Sequence, residues 1–305
     1  ARIVRQHNPR RIAIEVSDQV PFADGLSKSN YDKLHACLDP SFQTRLHSAQ
    51  DLVVRWLETR RPKEIDLMRH ISHITREIIA KCYSRTFIVP GKTTIGEARF
   101  FLMESAIKLG MIPWFDATVW IRRKGFAHID DDSAVIEQGY LLHCDFGVRY
   151  GKLCSDVQEM AYVKAEGDEK LIAELELIHR KAMRLQDILA RTFSKGATGN
   201  QVLEQALTQA KAEGIEKPMI YSHPIGLYGH GPGPTIGSFG NQVFVPGSGE
   251  RLINESTCYA MELNVMEQVP SWDNLRIMYG QEIDILFQDT RVEFLSGRQQ
   301  QLHII

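Results

Sequence analysis

The sequence is poor in cysteine, and the few cysteines that it has do not form a familiar pattern. Their number is odd and no C-x-x-C pair occurs; they are Cys37, Cys82, Cys144, Cys154 and Cys258. This count argues against both a disulfide framework and a thiolate zinc site. A reducing compartment is the simplest interpretation.

Long apolar runs and blocks of like charge are also missing. No stretch approaches the ~18 uninterrupted apolar residues that a membrane-spanning helix needs, and the start, ARIVRQHNPRR, lacks the apolar segment of a signal peptide. The 36 basic and 38 acidic residues are spread along the chain, for a net charge of -2. We therefore expect no membrane association and no nucleic-acid binding. A cytoplasmic location is the default expectation. Export stays open, because the natural N-terminus, with a signal peptide, could be missing from this sequence.

Two common catalytic motifs are absent as well. The glycine-rich GHGPGP has prolines where a phosphate-binding loop needs backbone N–H groups, and it lacks the Lys-Ser/Thr ending of that loop. No G-x-S-x-G stretch is present to form a serine nucleophile elbow.

The 305 residues, 43% of them hydrophobic, are enough for one large domain or two modest ones. Residues 1–60 predict a small opening unit, with a strand in RRIAIEV (10–16) and a serine-capped helix over 27–38. The main domain is expected over 61–305.

Two halves of this main domain follow the same plan. Helices are predicted over 62–82 and 91–110, and again over 168–192 and 196–214. Each pair precedes strand-like sequence, VWIRR and YLLHCDFGV in the first half, PMIYSH and TCYAMELNVM in the second. The pattern indicates a duplicated helix-helix-strands unit, and hence an α+β fold with pseudo-twofold symmetry.

The stretch HCDFGVRYGKLCSD (143–156) predicts a hairpin that carries two aspartates. A loop centred on Tyr150-Gly151 would place Asp145 opposite Asp156, Val148 opposite Leu153 and Cys144 opposite Val157. Two carboxylates at such a short distance from each other must share a proton or a cation. The Asp-Thr/Ser-Gly signature of a proton-sharing aspartic protease is absent, so a divalent cation is the better interpretation.

Two carboxylates do not complete a metal site, so the second half of the main domain is expected to supply further metal ligands. YSHPIGLYGHGPGPTIG (221–237) holds His223 and His230, seven residues apart; Glu262 and Glu282 each interrupt an apolar strand. An acid in a buried strand is costly unless it is paired or ligated. For either glutamate alone, a position facing solvent on an edge strand remains the competing interpretation.

Together these residues resemble the pita-bread metallopeptidases, which include aminopeptidase P, prolidase, methionine aminopeptidase and creatinase. The family's order of metal ligands, Asp, Asp, His, Glu, Glu, is matched by Asp145, Asp156, His223, Glu262 and Glu282. The frame D-F-G-x-x-Y-x-x-x-x-S-D and the motif H-x-I-G-L-x-x-H carry the resemblance, which covers about residues 62–300. His128 stands where the family keeps a substrate-binding histidine, and the proline-specific branch fits best.

The resemblance implies a pita-bread fold and a site for two divalent metal ions. In such a site Asp156 and Glu282 bridge the ions, Asp145 completes one, and His223 with Glu262 completes the other. Manganese is the first expectation, with cobalt, zinc or iron as alternatives. A hydroxide between the ions would attack a peptide, Glu262 would shuttle the proton, and His128 and His230 would bind the substrate.

The resemblance also bears on organisation. The proline-specific branch has a separate N-terminal domain, and residues 1–60 are expected to be only the tail of such a creatinase-like domain, so that the chain is a fragment. A peptide substrate and a homodimer are further expectations.

Three positions depart from the family's pattern: Leu263 replaces a proline, and Glu159 and Gly280 replace arginines. Arg276 is a candidate substitute for the arginine missing at 280, and Asp284 is the fallback for Glu282. The departures keep two alternatives open, a non-peptide C–N hydrolase or lyase of the creatinase type, and a non-catalytic binding protein on the same fold.

Overall fold

The computed structural model describes residues 1–305, apart from the side chain of Ala127. The chain divides into two compact units, Ala1–Glu58 and Thr59–Ile305. That the first unit is the tail of a longer N-terminal domain stays a prediction.

The first unit contains short elements around one parallel strand pair. The predicted strand and helix are both present, and the Ser27 side chain caps the helix by accepting a hydrogen bond from the backbone N–H of Asn30. The helices are α1 (Arg2–His7), α2 (Lys28–Cys37), α3 (Pro40–Gln43) and α4 (Gln50–Glu58), and the paired strands are β1 (Ile12–Ile14) and β2 (Leu46–Ser48).

Four long helices belong to the second unit, as the duplicated plan predicts. They are α5 (Pro62–Cys82), α6 (Ile95–Lys108), α7 (Glu169–Thr192) and α8 (Gly199–Ala212). Both α6 and α8 begin with a capping box, in which Thr94 pairs with Glu97 and Thr198 with Gln201. Each box satisfies backbone donors that the first turn would leave unpaired, which is why a threonine directly precedes each helix.

The strands of the second unit form two five-stranded sheets and a small three-stranded one. In chain order they are β3 (Ile112–Pro113), β4 (Thr118–Arg123), β5 (Phe126–Ile129), β6 (Leu141–Phe146), β7 (Val148–Tyr150), β8 (Leu153–Cys154), β9 (Val157–Tyr162), β10 (Pro218–Ile225), β11 (Thr257–Val269), β12 (Leu275–Gln281), β13 (Asp284–Gln288), β14 (Arg291–Phe294) and β15 (His303–Ile304). The first large sheet has the order β15-β9-β6-β4-β5, and the second has β10-β11-β13-β14 with β12 also paired to β11. The predicted α+β class is confirmed.

A backbone bridge joins the two large sheets, between Gln158 on β9 and Glu282, which lies between β12 and β13. The backbone N–H of each donates to the carbonyl oxygen of the other, at 3.1 and 3.2 Å. This bridge brings strands from both halves of the unit side by side, so that side chains from the two halves share one face.

The helices pack together in pairs, α5 with α6 and α7 with α8, and they cover the sheets, with α5 against β8 and β9 and α7 against β11 and β12. Apolar side chains on the strands of the two large sheets, such as Phe146, Leu263 and Phe287, are fully buried in one core. No helix of the described chain is long and apolar enough to cross a membrane.

The predicted register of the aspartate hairpin is wrong by two residues. Tyr150 pairs with Leu153, and Asp145 lies opposite Gln158 rather than Asp156. The reason is the turn: Gly151 and Lys152 both have positive φ, 55° and 71°, as a two-residue type I′ loop requires. Cys144 accordingly faces Glu159 instead of Val157, and Val148 bonds to Ser155 instead of Leu153. A shift of two keeps Asp145 and Asp156 on the same face.

Candidate metal centre

The five predicted ligands come from strands of both large sheets. Asp145 is on β6, Asp156 lies between β8 and β9, His223 is on β10, Glu262 is on β11 and Glu282 follows β12. Alternation along β6 turns Asp145 away from the buried Cys144 and Phe146, and thus away from the helix-covered core.

Three of these side chains converge closely. One ligand atom each from Asp156, His223 and Glu282 lie within 4.8 Å of one another, and all three residues are buried. The imidazole Nε2 of His223 is 3.7 Å from Oε1 of Glu282. Ligand atoms from both halves of the second unit thus lie close together.

Asp145 and Glu262 border this group. A hydrogen bond links the Asp145 and Asp156 carboxyl groups, and the charge of Glu262 acts on Asp145, Asp156 and Glu282. All five predicted ligands therefore belong to one electrostatic cluster, whose acids are contributed by both halves.

Burial and mutual repulsion make the acids of this cluster weak. Burial, followed by the charge of Glu262, raises the pKa of Asp145 to about 7, and burial raises the pKa of Glu262 to about 6. For Asp156 and Glu282 the pKa is raised well above the ordinary range by burial and by the neighbouring carboxylates. Among the described residues, no lysine or arginine forms an ion pair with any of the four acids.

His223 is suited to bind a cation through Nε2. Burial lowers the pKa of His223 to about 3, so its ring is neutral. The other ring nitrogen, Nδ1, lies 3.4 Å from the carbonyl oxygen of Pro224, which favours the tautomer that leaves the Nε2 lone pair towards Glu282.

The residues present fit divalent metal ions. Four carboxylates would carry four negative charges, which two divalent cations would neutralise. Within the part of the chain that the structure describes, no lysine or arginine pairs with these acids. Three buried oxygen atoms that point into the cluster have no hydrogen-bond donor: Oδ1 of Asp145, Oδ1 of Asp156 and Oε1 of Glu282. Oxygen ligands with one imidazole are a donor set typical of such ions.

The structure distinguishes Glu282 from its fallback, Asp284. The carboxylate of Asp284 accepts the backbone N–H of Asp156, at 3.1 and 3.3 Å. Glu282, not Asp284, joins Asp156 and His223 in the close group.

The two histidines expected to bind the substrate are placed differently. The His230 ring is 4.4 Å from the His223 ring and 5.5 Å from that of Trp114, in edge-on contacts, so it borders the cluster. His128 is exposed on β5, with its ring 5.3 Å from Trp120. Among the contacts described for His128, none reaches the carboxylates directly.

Sequence reasoning missed two polar residues of the site, Gln158 and His143. The Gln158 amide donates to Glu282 and Asp145, and its oxygen lies 2.9 Å from Nε2 of His143. Each stands two positions from a predicted ligand, so strand alternation already placed both on the ligand face.

One departure from the family's pattern, Glu159, has a structural explanation, and the suggested substitute Arg276 lies away from the site. The carboxylate of Glu159 is buried between Arg76 and His303, at 2.7 and 2.5 Å, and thus serves a structural ion pair. Arg276, the suggested substitute for the missing arginine, is exposed and pairs with Gln268 along β11 and β12. No contact described for it reaches the carboxylate cluster.

Comparison with known proteins decides the family. Residues 66–289, most of the chain, match the model of metallopeptidase family M24. The chain belongs to this family. The resemblance to this metallopeptidase family that was seen in the sequence is thereby confirmed.

Individual relatives of this M24 chain agree in fold. A Mycoplasma pneumoniae protein provisionally named Xaa-Pro aminopeptidase is 25% identical over 254 residues, which are 82% of this chain and 66% of that protein. The chain thus spans slightly less than two thirds of this relative. An X-Pro aminopeptidase from Thermotoga maritima (TM-score 0.69, 78% of its chain covered) and an Xaa-Pro dipeptidase from Bacillus anthracis (0.67, 77%) each match all of this chain at 19% identity. The pita-bread fold is confirmed.

Proposed function

We propose that this M24 chain is a dinuclear metal-dependent peptidase that cleaves the N-terminal residue from Xaa-Pro peptides. The observation that supports the proposal is the buried convergence of Asp156, His223 and Glu282, flanked by Asp145 and Glu262. No lysine or arginine among the described residues pairs with these acids. The relatives named as aminopeptidase and dipeptidase for Xaa-Pro bonds support the substrate class.

In this proposal Asp156 and Glu282 would be shared by two ions, Asp145 would help to hold one of them, and His223 with Glu262 would help to hold the other. The close approach of His223 to Glu282 and of Asp145 to Asp156 supports this division. When bound, the divalent cations activate water and polarise the scissile carbonyl group.

Glu262 is proposed to carry the proton. Its carboxylate, with a pKa of about 6, lies close enough to neutrality to accept a proton from the attacking water and to pass it to the leaving amine. His230, beside His223 and open to solvent, and His128 are proposed to donate hydrogen bonds to the peptide.

The test is a peptidase assay on protein that has been stripped with a chelator and reloaded with manganese, cobalt, zinc or iron in turn. We expect release of the N-terminal residue from an Xaa-Pro peptide, and far slower release from its Xaa-Ala counterpart. Metal analysis should give two ions per chain. No turnover with any of the four metals would reject the peptidase, and a preference for Xaa-Ala would reject the specificity alone.

The same assay separates the alternatives. A creatine-like compound serves as a substrate with a non-peptide C–N bond, and its metal-independent hydrolysis would favour the creatinase-type reaction. Absence of bound metal, with no rescue on addition, would favour a non-catalytic binding protein. A homodimer also remains a proposal, tested by light scattering.

A further inference from the structure

Gln158 contacts acids of the carboxylate cluster, although it is not one of the five predicted ligands. It is on β9 directly opposite Asp145, and its backbone forms the reciprocal bridge with Glu282 between the two large sheets. The residue is 6% exposed. Gln158 is thus fixed by main-chain bonds to strands that carry one acid from each half of the unit.

The amide of Gln158 serves both of these acids. Its Nε2 donates to Oε2 of Glu282 at 2.8 Å and lies 3.4 Å from Oδ2 of Asp145. In each carboxylate the other oxygen, Oε1 of Glu282 and Oδ1 of Asp145, has no donor. One oxygen of each acid is therefore held by the glutamine, and one is left free for another partner.

His143 fixes the orientation of the amide. An amide that donates through Nε2 must accept through Oε1, and Oε1 lies 2.9 Å from Nε2 of His143. The imidazole is stacked on Trp120, with ring centroids 4.3 Å apart and an interplanar angle of 11°, and the Arg122 guanidinium lies 4.2 Å from the same indole ring. Packing thus prevents His143 from turning away.

Gly280 leaves room for this arrangement. A Cβ atom at position 280 would lie 3.2 Å from Oε1 of Gln158 and 3.2 Å from Nε2 of His143, which is closer than most Cβ contacts. This is the position where the resembled family usually carries an arginine. The space of a side chain at 280 is taken here by the Gln158–His143 pair.

We propose that Gln158, oriented by His143, is the positioning residue of the metal centre and takes the place of a side chain at position 280. The inference rests on the proposed metal site. Gln158 holds the Glu282 and Asp145 carboxylates so that their free oxygens face the ions, and a larger residue at 280 displaces it. Such outer partners of ligands commonly control metal affinity.

The test compares two buried glutamines on neighbouring strands. Gln158→Met keeps the volume and removes the donor, and Gln281→Met makes the same change at a glutamine, 2% exposed, whose amide contacts His179 instead of the cluster. The first readout is manganese affinity by calorimetry on chelator-stripped protein. We expect Gln158→Met to weaken binding by about 10- to 100-fold, while Gln281→Met stays close to the unmodified protein. Melting of the metal-free variants shows that both fold.

A second readout examines position 280. Gly280→Ala should weaken manganese binding in the unmodified protein but much less in a Gln158→Ala background, where the crowded amide is gone. Such non-additivity is expected only of residues that share one space. His143→Phe, which keeps the stack on Trp120, should weaken binding by an intermediate factor. In the peptidase assay, Gln158→Met should lower kcat more than it changes KM.

The outcomes separate this inference from the proposed function. If the unmodified protein binds manganese and Gln158→Met and Gln281→Met bind it equally well, Gln158 is not a positioning residue. Strictly additive effects of Gly280→Ala and Gln158→Ala would reject the shared space. If the unmodified protein binds no divalent metal and hydrolyses nothing, the proposed function itself has failed.

Discussion

The Nε2 atom of His223 lies 3.7 Å from Oε1 of Glu282, although the two residues belong to different strands and are both almost fully buried. The imidazole is neutral, so the contact is no ion pair. The imidazole nitrogen and the carboxylate oxygen each offer a lone pair, and a cation that binds both of them would hold them close together.

This relationship predicts that His223 and His230 respond differently to substitution. His223→Gln removes a ligand atom and should weaken manganese binding by at least tenfold, whereas His230→Gln should leave the affinity nearly unchanged and lower kcat, because His230 borders the cluster without belonging to its close group. Calorimetry and peptidase kinetics on the same preparations measure both. Equal loss of affinity would place His230 among the ligands.

The raised pKa values predict how the stability of metal-free protein depends on pH. Folded Asp145 has a pKa of about 7, and the pKa values of Asp156 and Glu282 are raised further, so the folded state retains protons that the unfolded chain releases. These groups therefore add to the free energy of unfolding at low pH, and this contribution is lost as the pH rises through their pKa values in the folded state.

The clearest window is pH 6.5 to 8, because the depressed pKa of His223 gives an opposite trend only at lower pH. The Tm of chelator-treated protein should fall across this window, and saturating manganese should remove the fall. Glu282→Gln should flatten the metal-free profile. A metal-free Tm that rises from pH 6.5 to 8 would contradict the charge assignment.

Glu159 is predicted to act in stability and not in metal binding. Its carboxylate is 2% exposed and bonds to Arg76 and to His303 near the end of the chain. Glu159→Gln breaks a buried ion pair and should lower the free energy of unfolding by about 3 kcal/mol. The matched control, Glu293→Gln, breaks the exposed pair with Arg69 and should cost below about 1 kcal/mol.

Urea denaturation measures the two stabilities, and calorimetry checks manganese affinity. Unchanged affinity in Glu159→Gln supports the structural role. Weaker metal binding without loss of stability would instead connect position 159 to the site, as in the family's usual pattern.

Gly147, at the bend between β6 and β7, is predicted to tolerate no side chain. A Cβ atom there would lie 2.3 Å from the Ser155 carbonyl oxygen and 2.3 Å from the Trp114 indole nitrogen, which donates to that oxygen. Gly147→Ala should cost about 1–3 kcal/mol through overpacking. Gly240→Ala, with nothing within 4 Å, is the control and should be nearly neutral in urea denaturation.

Much of the fold follows from local patterns. The paired helices have apolar stripes and threonine caps, and strands such as Thr257–Val269 are apolar runs. The sequence therefore predicts that these helices and strands exist. The hairpin register is harder to predict from the sequence, because it depends on which two residues adopt positive φ. Registers that differ by two residues also give the same alternation of apolar residues.

The ligand set was predicted by resemblance to a known family and by the physical oddity of acids in apolar strands. Gln158 and His143 carry no such oddity. Their contact with the acids depends on where two sheets meet, which is set by the packing of four helices and thirteen strands.

The sequence alone determined that acids occur in buried strands, where their charge needs neutralisation, and that the two halves share one plan. Only the tertiary structure decided which of the acids meet, that Glu282 rather than Asp284 faces His223, and that a glutamine fills the space beside Gly280. The physical reason is range: periodicity and capping act within a few residues, whereas this site is assembled by backbone bridges between segments more than 120 residues apart.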